Sequence, residues 1–530
     1  MTWDHRRQFS LRAVGASTLL LTAAAIAGQG LSLGRELFIA FQVGLSVGLD
    51  ALLVALVLPT VVAGVLTSGP AAALIPAYVA TRQSRGAEEA RRLAGAVLTW
   101  IAVVGIGLTA VMLVMGGQVI SWIGPGLGED ARRMAGNFVP LIAPLVVTSA
   151  LSGLMSAICQ AEQRFRGIAA STVAGSLAAL VLTVGLWNDL HLAAIALGMV
   201  GGGTSTLLVL IASAFRARIL PPLTLRMDGA DARAFGRHAF PLIISSAMLS
   251  MNLVADRAIA SLIAPGAVSA LRYADILVRT PISAIGPAWM QSLYPSLVGA
   301  AQQREVSSLG SAVVSTTRHV IAAFMPIAVA MIAVAPWLVG LAFGRGLFSG
   351  RDLTVISSVV AGFAPLIVIT MVHPVLSGAH NARRRGGLLL MSGGLSAVSN
   401  LALNLVLGST IGVAGIALST SVTSGALLVF LANRLQHHEE GLDLRPIWDA
   451  VLRGGAAAVI PALPIALLAW TGFGTGSAAT SVLALGAAVI VMAPVYLFIA
   501  ARLGFKEPAS IAGLAWRSAF RTHPANDRES

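Results

Sequence analysis

The stretch of sequence that decides the fold is residues 46–72, SVGLDALLVALVLPTVVAGVLTSGPAA, in which Asp50 is the only charged residue. A helix needs about 20 mostly apolar residues to cross a hydrocarbon core of about 30 Å, so this stretch is long enough to span a membrane. Comparable apolar runs recur in both directions along the chain, which predicts an all-α integral membrane protein. The predicted spans are 13–34, 46–72, 92–116, 136–159, 168–187, 192–214, 238–263, 266–297, 319–343, 353–378, 387–407, 411–433, 452–471 and 478–501, about fourteen in all.

The composition excludes several other classes of protein. Of 530 residues, 56% are hydrophobic and only 11% are charged, whereas a soluble domain carries roughly 25% charged residues. The net charge of +13 is scattered between the apolar runs and only 6% of residues are aromatic, so a nucleic acid partner is not expected. Cys159 is the only cysteine, which excludes an intramolecular disulfide. No Walker A, His-Glu-x-x-His or Gly-x-Ser-x-Gly motif occurs, so we expect a transporter rather than an enzyme.

The basic residues concentrate in alternate loops, after the even-numbered spans. Arginine and lysine mark the cytoplasmic side of such helices, so we expect a cytoplasmic (inner) membrane protein with both termini in the cytoplasm. The arginines concerned are Arg82, Arg85, Arg91, Arg92, Arg164, Arg166, Arg216, Arg218, Arg226, Arg233, Arg237, Arg304, Arg383, Arg384, Arg385, Arg434 and Arg445.

The chain also contains an internal repeat. A shift of 222 residues superposes Arg35 on Arg257, Gly44 on Gly266 and Pro59 on Pro281. Since six spans are duplicated and six is an even number, the copies keep the same orientation in the membrane, as in many secondary transporters. The predicted units are two pseudo-symmetric six-helix lobes at 1–225 and 226–440, a helix pair at 441–505 and a cytoplasmic tail at 506–530.

Three charged residues lie inside the eighth predicted span, where ionisable groups are expensive and are candidates for function. Arg272, Asp275 and Arg279 are spaced by three and four residues, which places them on one face of a helix. One positive charge is left over, and the planar guanidinium suits a phosphate or pyrophosphate. The alternative is a self-neutralising stripe that steadies helix packing.

Further charges lie at the ends of the first two spans. Arg35 and Glu36 are neighbours and are expected to point in different directions, with Arg35 either snorkelling to the outer surface or facing Arg257 across a central cavity. Asp50 opens the second span. The candidate substrate-binding residues are therefore Arg35, Glu36, Asp50, Arg257, Arg272, Asp275 and Arg279.

Uncharged polar residues suggest a second kind of site. Asn400 and Asn404 lie four residues apart on one helical face, and with Asp256 and Thr420 they offer the hard oxygen ligands that suit a small cation. Hydrogen bonding between helices is the simpler explanation for such residues. His373, before Pro374, is either part of a proton relay or a hydrogen-bonded partner at a kink.

The motifs Leu33-Gly-Arg-Glu36, Gly48-Leu-Asp-Ala-Leu52 and Leu58-Pro59 resemble those of the MurJ/MviN family of lipid II flippases, within the MOP exporter superfamily that also includes MATE transporters. The resemblance extends over about residues 10 to 440. Its further motifs are Tyr273-Ala-Asp-Ile-Leu-Val-Arg-Thr-Pro281, Leu293-Tyr-Pro-Ser-Leu297, Ala342-Phe-Gly-Arg-Gly-Leu-Phe348, Asn400-Leu-Ala-Leu-Asn404 and Gly412-Val-Ala-Gly-Ile-Ala-Leu-Ser-Thr420.

This resemblance implies alternating access by two lobes, with a cationic cavity that takes a lipid-linked pyrophosphate headgroup while the acyl tail stays in lipid. It also implies coupling to the membrane potential or to a cation gradient of Na⁺ or H⁺, and no other cofactor. A family cation site would fall on Asp256, Asn400, Asn404, Ile416 and Thr420.

Several family charges are missing from this chain. The paired arginines expected after Leu58-Pro59 are Ala63 and Gly64, and the acidic residue beyond them is Ser68. An arginine of the first helix is Gln29, and the arginine that usually follows Asp275 is Ile276. The acidic residue expected three positions beyond Ile276 is Arg279, so positive charge has moved from the first lobe to the second.

The leading hypothesis is a flippase of a polyprenyl-pyrophosphate-linked saccharide, lipid II first and an O-antigen or exopolysaccharide repeat unit second. The alternatives are a cation-coupled exporter of small molecules and a membrane scaffold for cell-envelope synthesis proteins.

Overall fold

The computed structural model describes residues 11–227, 229–302, 306–382, 386–438, 443–472, 474 and 477–511, and within these ranges every regular element is a helix. The first lobe consists of α1 (Leu11–Val43), α2 (Val47–Arg85), α3 (Ala87–Ile123), α4 (Glu129–Ile142), α5 (Leu145–Ala161), α6 (Phe165–Gly185), α7 (Trp187–Leu190) and α8 (Leu192–Arg216). The second lobe consists of α9 (Gly229–Ile263), α10 (Ala267–Gln302), α11 (Val306–Phe343), α12 (Gly350–Phe363), α13 (Leu366–Ala382), α14 (Gly386–Ile411) and α15 (Val413–His438). The final pair is α16 (Arg445–Trp470) and α17 (Ala478–Arg502).

The number of long helices agrees with the sequence. Among the described residues, 11 helices are long and apolar enough to cross a membrane, with α12 and α13 counted together as Gly350–His380, or 12 if α4 and α5 also form one bent span. The 33-residue α1 and the 36-residue α10 are also long enough to span. They carry the charged residues Arg35, Glu36, Arg272, Asp275 and Arg279. Adding α1 and α10 to the twelve candidate membrane spans gives the fourteen spans that the sequence predicts.

Two predicted spans are broken at corresponding prolines. The span predicted at 136–159 bends by 43° between α4 and α5, at Pro144. The span predicted at 353–378 is interrupted between α12 and α13, where Pro365 lies 221 residues after Pro144. Proline lacks the amide hydrogen that would continue the helix, so both copies break at the same place.

Packing within the two lobes follows the repeat. α1 packs on α6 as α9 packs on α14, and α6 packs on α8 as α14 packs on α15. The pairs α2–α5 and α3–α4 correspond in the same way to α10–α13 and α11–α12. Two lobes of related architecture are therefore confirmed, while their exact boundaries at residues 225 and 440 stay a prediction.

The helix pair α16 and α17 belongs to the second lobe by its contacts. Both helices pack on α11, and the Tyr496 hydroxyl donates a hydrogen bond of 2.8 Å to the carbonyl of Ala322. Phe505, just after α17, is 1% exposed in the same apolar cluster. This burial ties the pair to the second lobe.

The lobes meet along two reciprocal contacts, α2 with α9 and α1 with α10. Gly44 follows α1 with φ of 60° and Gly266 directly precedes α10 with φ of 83°, a left-handed conformation that favours glycine. A Cβ on Gly44 would lie 3.1 Å from the Cβ of Leu347, and one on Gly266 would lie 3.0 Å from the Cβ of Leu45. The glycines thus allow each lobe to approach the other closely.

Candidate functional site

A cavity of about 360 Å³ lies between the two lobes. The first lobe lines it with apolar and hydroxyl side chains, namely Ile39, Leu49, Leu53, Leu56, Val57, Thr60, Ile195 and Met199, and with the carboxylate of Glu36. The second lobe contributes Leu253, Arg257, Arg272, Tyr273, Asp275 and Arg279. Three arginines and two carboxylates give this lining one net positive charge, and all of the positive charge comes from the second lobe.

Glu36 joins the lobes inside this cavity. Its Oε1 atom accepts a hydrogen bond of 2.7 Å from Arg272 of α10 and another of 2.7 Å from its neighbour Arg35. Glu36 is 7% exposed, so both ion pairs are shielded from solvent. The expectation that Arg35 and Glu36 point in different directions is wrong, because the long arginine side chain turns back to reach the buried carboxylate.

The charged face of α10 is divided between two partners. Arg279 Nε lies 2.6 Å from Asp275 Oδ1, one turn away on the same helix. Arg272 instead bonds Glu36, and its Nε atom is buried with no hydrogen-bond partner among the described residues. The prediction that Arg272, Asp275 and Arg279 lie on one helical face is correct. Arg272, however, pairs with Glu36 of the other lobe rather than with Asp275.

Arg35 and Arg257 do not face each other in the way that the repeat suggested. Arg257 lines the cavity, and its guanidinium donates a 2.8 Å hydrogen bond to the carbonyl of Val268. Arg35 lies outside the lining and pairs with Glu36. Of the two equivalent arginines, Arg257 is therefore the one exposed to a ligand in the cavity.

Asp50 also lies outside the cavity lining and has a different role from the expected substrate contact. It is 2% exposed. Its Oδ2 atom accepts a 2.6 Å hydrogen bond from the Gly266 amide, and its Oδ1 atom accepts bonds of 2.8 and 2.5 Å from the amide and hydroxyl of Ser269. A carboxylate of the first lobe thus caps the N-terminus of α10 in the second lobe.

Asp50 belongs to a larger contact, which we call the outer seam: Gly44, Asp50 and Gly126 of the first lobe with Ser261, Gly266, Ser269 and Tyr273 of the second. The Tyr273 hydroxyl donates a 3.3 Å hydrogen bond to the Gly44 carbonyl, and the Gly126 amide donates one of 3.1 Å to the Ser261 hydroxyl. The outer seam lies at the end of the helices that the arginine pattern predicts to face away from the cytoplasm. Because Tyr273 also lines the cavity, the outer seam borders the cavity at that end.

The oxygen-bearing residues named from the sequence form one network between α9, α14 and α15. Asn404 donates hydrogen bonds of 2.6 Å to Asp256 and 3.1 Å to Asn400. Asn400 donates one of 3.3 Å to Thr420, and Thr420 Oγ1 lies 3.1 Å from Asp256 and 3.0 Å from the Ile416 carbonyl. We call these five residues the Asp256 cluster. Among the described residues, no group of three or more histidine, cysteine, aspartate or glutamate side chains has metal-binding geometry.

Ser419 is a member of this network that the sequence analysis missed. Its hydroxyl donates to the Asn404 side-chain oxygen and to the Ile416 carbonyl, the latter at 2.8 Å. It follows Leu418 in the motif that carries the family resemblance, but a serine in an apolar helix gives no signal of its own. His373, in contrast, lies apart from the residues that line the cavity.

The positions of the missing family charges fall outside the cavity lining. Ala63 is 5% exposed, and Gly64 has no atom within 4 Å of where a Cβ would stand. Gln29 and Ile276 also lie outside the lining. Apart from the Glu36 carboxylate, the first lobe presents only Thr60 and apolar side chains to the cavity.

Comparison with known proteins gives consistent results. The family described as "Lipid II flippase MurJ" matches residues 39–485. A relative from Thermotoga maritima, named as a probable lipid II flippase MurJ, is 24% identical over 409 residues, which cover 76% of this chain and 81% of the relative.

Solved structures share the fold. One of "Lipid II flippase MurJ, inward closed conformation" matches with a TM-score of 0.73 and 17% identity, covering 95% of this chain and 100% of the other. A multidrug resistance MATE family transporter of the MOP superfamily, in an inward-facing conformation, matches with a TM-score of 0.65 and 16% identity, covering 78% and 96%.

Proposed function

Because the chain belongs to the MurJ family of lipid II flippases, we propose that it moves lipid II across the bacterial inner membrane, with the arginines of the interlobe cavity receiving the pyrophosphate. The observation that carries the proposal is the cavity itself, in which Arg257, Arg272 and Arg279 meet at the contact between the lobes. Both termini would lie in the cytoplasm, as the arginine-rich loops predict.

The free hydrogen-bond donor of Arg272 suits an anionic headgroup. Its Nε atom has no partner among the described residues although it is buried, and such a donor costs about 1–3 kcal/mol. A pyrophosphate oxygen would satisfy this donor, and a planar guanidinium binds phosphate with paired hydrogen bonds. The bound headgroup would then compete with Glu36 for Arg272.

Release of Glu36 would couple binding to movement. The Glu36–Arg272 ion pair and the outer seam are both contacts between the lobes. A headgroup that takes Arg272 away from Glu36 removes one of these contacts, so opening of the outer end costs less.

Rescue of a bacterial strain depleted of its own lipid II flippase is the direct test of the substrate. We expect the wild-type chain to restore growth and the appearance of lipid II in the outer leaflet. Arg434→Ala is a control, since Arg434 lies over the Phe430 ring at 5.3 Å, away from the cavity. The contrary outcome is that the wild type inserts normally and fails to rescue this strain, yet rescues a mutant that lacks an O-antigen or exopolysaccharide flippase. That outcome would assign another lipid-linked glycan as the substrate.

We further propose that the Asp256 cluster binds the coupling cation, Na⁺ or H⁺. The donor set fits a small hard cation, because the carboxylate of Asp256, the amide oxygens of Asn400 and Asn404, the Thr420 hydroxyl and the Ile416 carbonyl are all oxygens in one buried network. Asp256 is the only charged member, so a monovalent cation balances it. Bound there, the cation would supply charge neutralisation between α9, α14 and α15.

Sodium binding predicts a rise in thermal stability that depends on Asp256. A ligand at 100 times its Kd stabilises the folded state by about 2.7 kcal/mol, so Na⁺ is expected to raise the Tm of the purified wild-type protein relative to choline at equal ionic strength. Asp256→Asn should abolish this rise. Asp130→Asn, on the exposed outer end of α4, should keep it. A sodium-dependent Tm in Asp256→Asn that matches the wild type would contradict the site.

A further inference from the structure

Buried polar side chains recur on one face of α14, one helical turn apart. Ser392, Ser396, Asn400 and Asn404 are 5%, 3%, 0% and 0% exposed, and we call them the polar file. Twelve residues of helix extend about 18 Å. Since Asn400 and Asn404 belong to the Asp256 cluster, the polar file extends beyond it by eight residues, or about 12 Å, from Asn400 to Ser392. It runs toward the end of α14 that the arginine pattern predicts to be cytoplasmic.

α9 faces this file with a polar group in a middle position. Asn252, one turn before Asp256, donates a 3.0 Å hydrogen bond to the Ser396 hydroxyl. The Asn252 side-chain oxygen is buried, and within the ranges that the structure describes it accepts no hydrogen bond. A buried acceptor without a partner costs about 1–3 kcal/mol, so this position favours a ligand that brings positive charge or a donor.

On the other side of the Asp256 cluster, away from Ser392, the contact between α9 and α14 is apolar near Gly408. A Cβ at Gly408, one turn beyond Asn404, would lie 3.4 Å from Ile259, 3.5 Å from Ile263 and 3.6 Å from Ile416. The three nearest groups at this position, on the outer side of the cluster, are therefore aliphatic. Among the described residues of α14, the buried polar side chains outside the Asp256 cluster are Ser392 and Ser396, which both lie toward the same membrane surface.

We propose that the polar file is the access path of the monovalent cation between the cytoplasmic side and the Asp256 cluster, with Asn252 and Ser396 forming an intermediate binding station. The inference rests on the proposed cation site and adds its route. The station offers only neutral oxygens, which hold a cation weakly. Weak binding at successive stations is what allows an ion to move on.

Silver ion is a suitable probe, since Ag⁺ is a monovalent cation that binds thiolates. In a Cys159→Ser background, Ser396→Cys in purified, reconstituted protein is treated with Ag⁺, and unreacted thiol is then alkylated after unfolding. The matched control is Ser421→Cys, because Ser421 is also 3% exposed but faces the Gly362 carbonyl between α12 and α15. A buried thiol without a path reacts only during local opening, so we expect Ser396→Cys to react at least about tenfold faster.

Sodium should slow the silver reaction of Ser396→Cys and leave that of Ser421→Cys unchanged. Ser392→Cys provides a second position in the file should Ser396→Cys insert poorly. Equal silver reactivity at the file and at Ser421 would overturn the path. The silver reaction tests only the path and needs no transport. Whether the Asp256 cluster binds sodium is tested separately, by the sodium dependence of the Tm.

Discussion

Replacing Arg272 by alanine is expected to lower lipid II translocation by about 10- to 100-fold while the protein level in the membrane stays normal. Arg272 is the arginine that both lines the cavity and bonds Glu36 across the lobes. A hydrogen bond to a charged group is worth about 1.5–3 kcal/mol, and each 1.36 kcal/mol corresponds to tenfold in rate. The measurement is lipid II accessibility at the outer leaflet of a flippase-depleted strain that expresses the variant.

Two companion variants separate headgroup binding from lobe contact. Glu36→Gln removes the charge of the interlobe partner but leaves Arg272 in the cavity, so it should retain more translocation than Arg272→Ala. Arg279→Ala should also reduce translocation, and less severely, since the Arg279 side chain is 61% exposed and already paired with Asp275. Full activity of both Arg272→Ala and Arg279→Ala would show that these arginines do not bind the headgroup.

The course of the helices follows from the sequence because it depends on local properties. Apolar length and the alternation of arginine-rich loops predict the spans, and the 222-residue repeat predicts that α1 and α9 occupy equivalent places. Helix ends are less well predicted. α2 runs to Arg85 and α3 begins at Ala87, well beyond the apolar stretches, since polar residues at membrane surfaces continue a helix as readily as they end it.

Side-chain partners between the lobes are the part that the sequence does not predict. Nothing in the spacing of Asp50 indicates that the hydrogen-bond donors to its carboxylate are Gly266 and Ser269, more than 200 residues away. Glu36 likewise divides its carboxylate between a neighbour and Arg272 of α10. The polar file is an intermediate case, because Ser392, Ser396, Asn400 and Asn404 already show a four-residue period. Only the fold shows that this face meets α9.

Removal of the Asp50 carboxylate should open the outer seam. Asp50→Ala leaves the buried amides of Gly266 and Ser269 without their acceptor, and each unsatisfied donor costs about 1–3 kcal/mol. This cost falls only on the conformation in which the outer seam is closed, so the equilibrium is expected to shift by at least about tenfold toward the outward-open conformation. Spin labels on Trp122 and Leu347, exposed residues of the first and second lobes, would report a longer interlobe distance.

Asp352→Ala tests whether this effect comes from the contact between lobes rather than from loss of a helix cap. Asp352 also caps a helix near the outer end, but its partner is the Ser349 amide of its own lobe, at 2.8 Å. Losing a helix cap costs about 0.5–2 kcal/mol, which is similar to the cost for Asp50→Ala. For Asp352 this cost is the same whether the outer seam is closed or open. Asp352→Ala should therefore leave the spin-label distances unchanged. Equal distance distributions in Asp50→Ala and the wild type would mean that other contacts hold the seam closed, and that alternating access does not depend on this carboxylate.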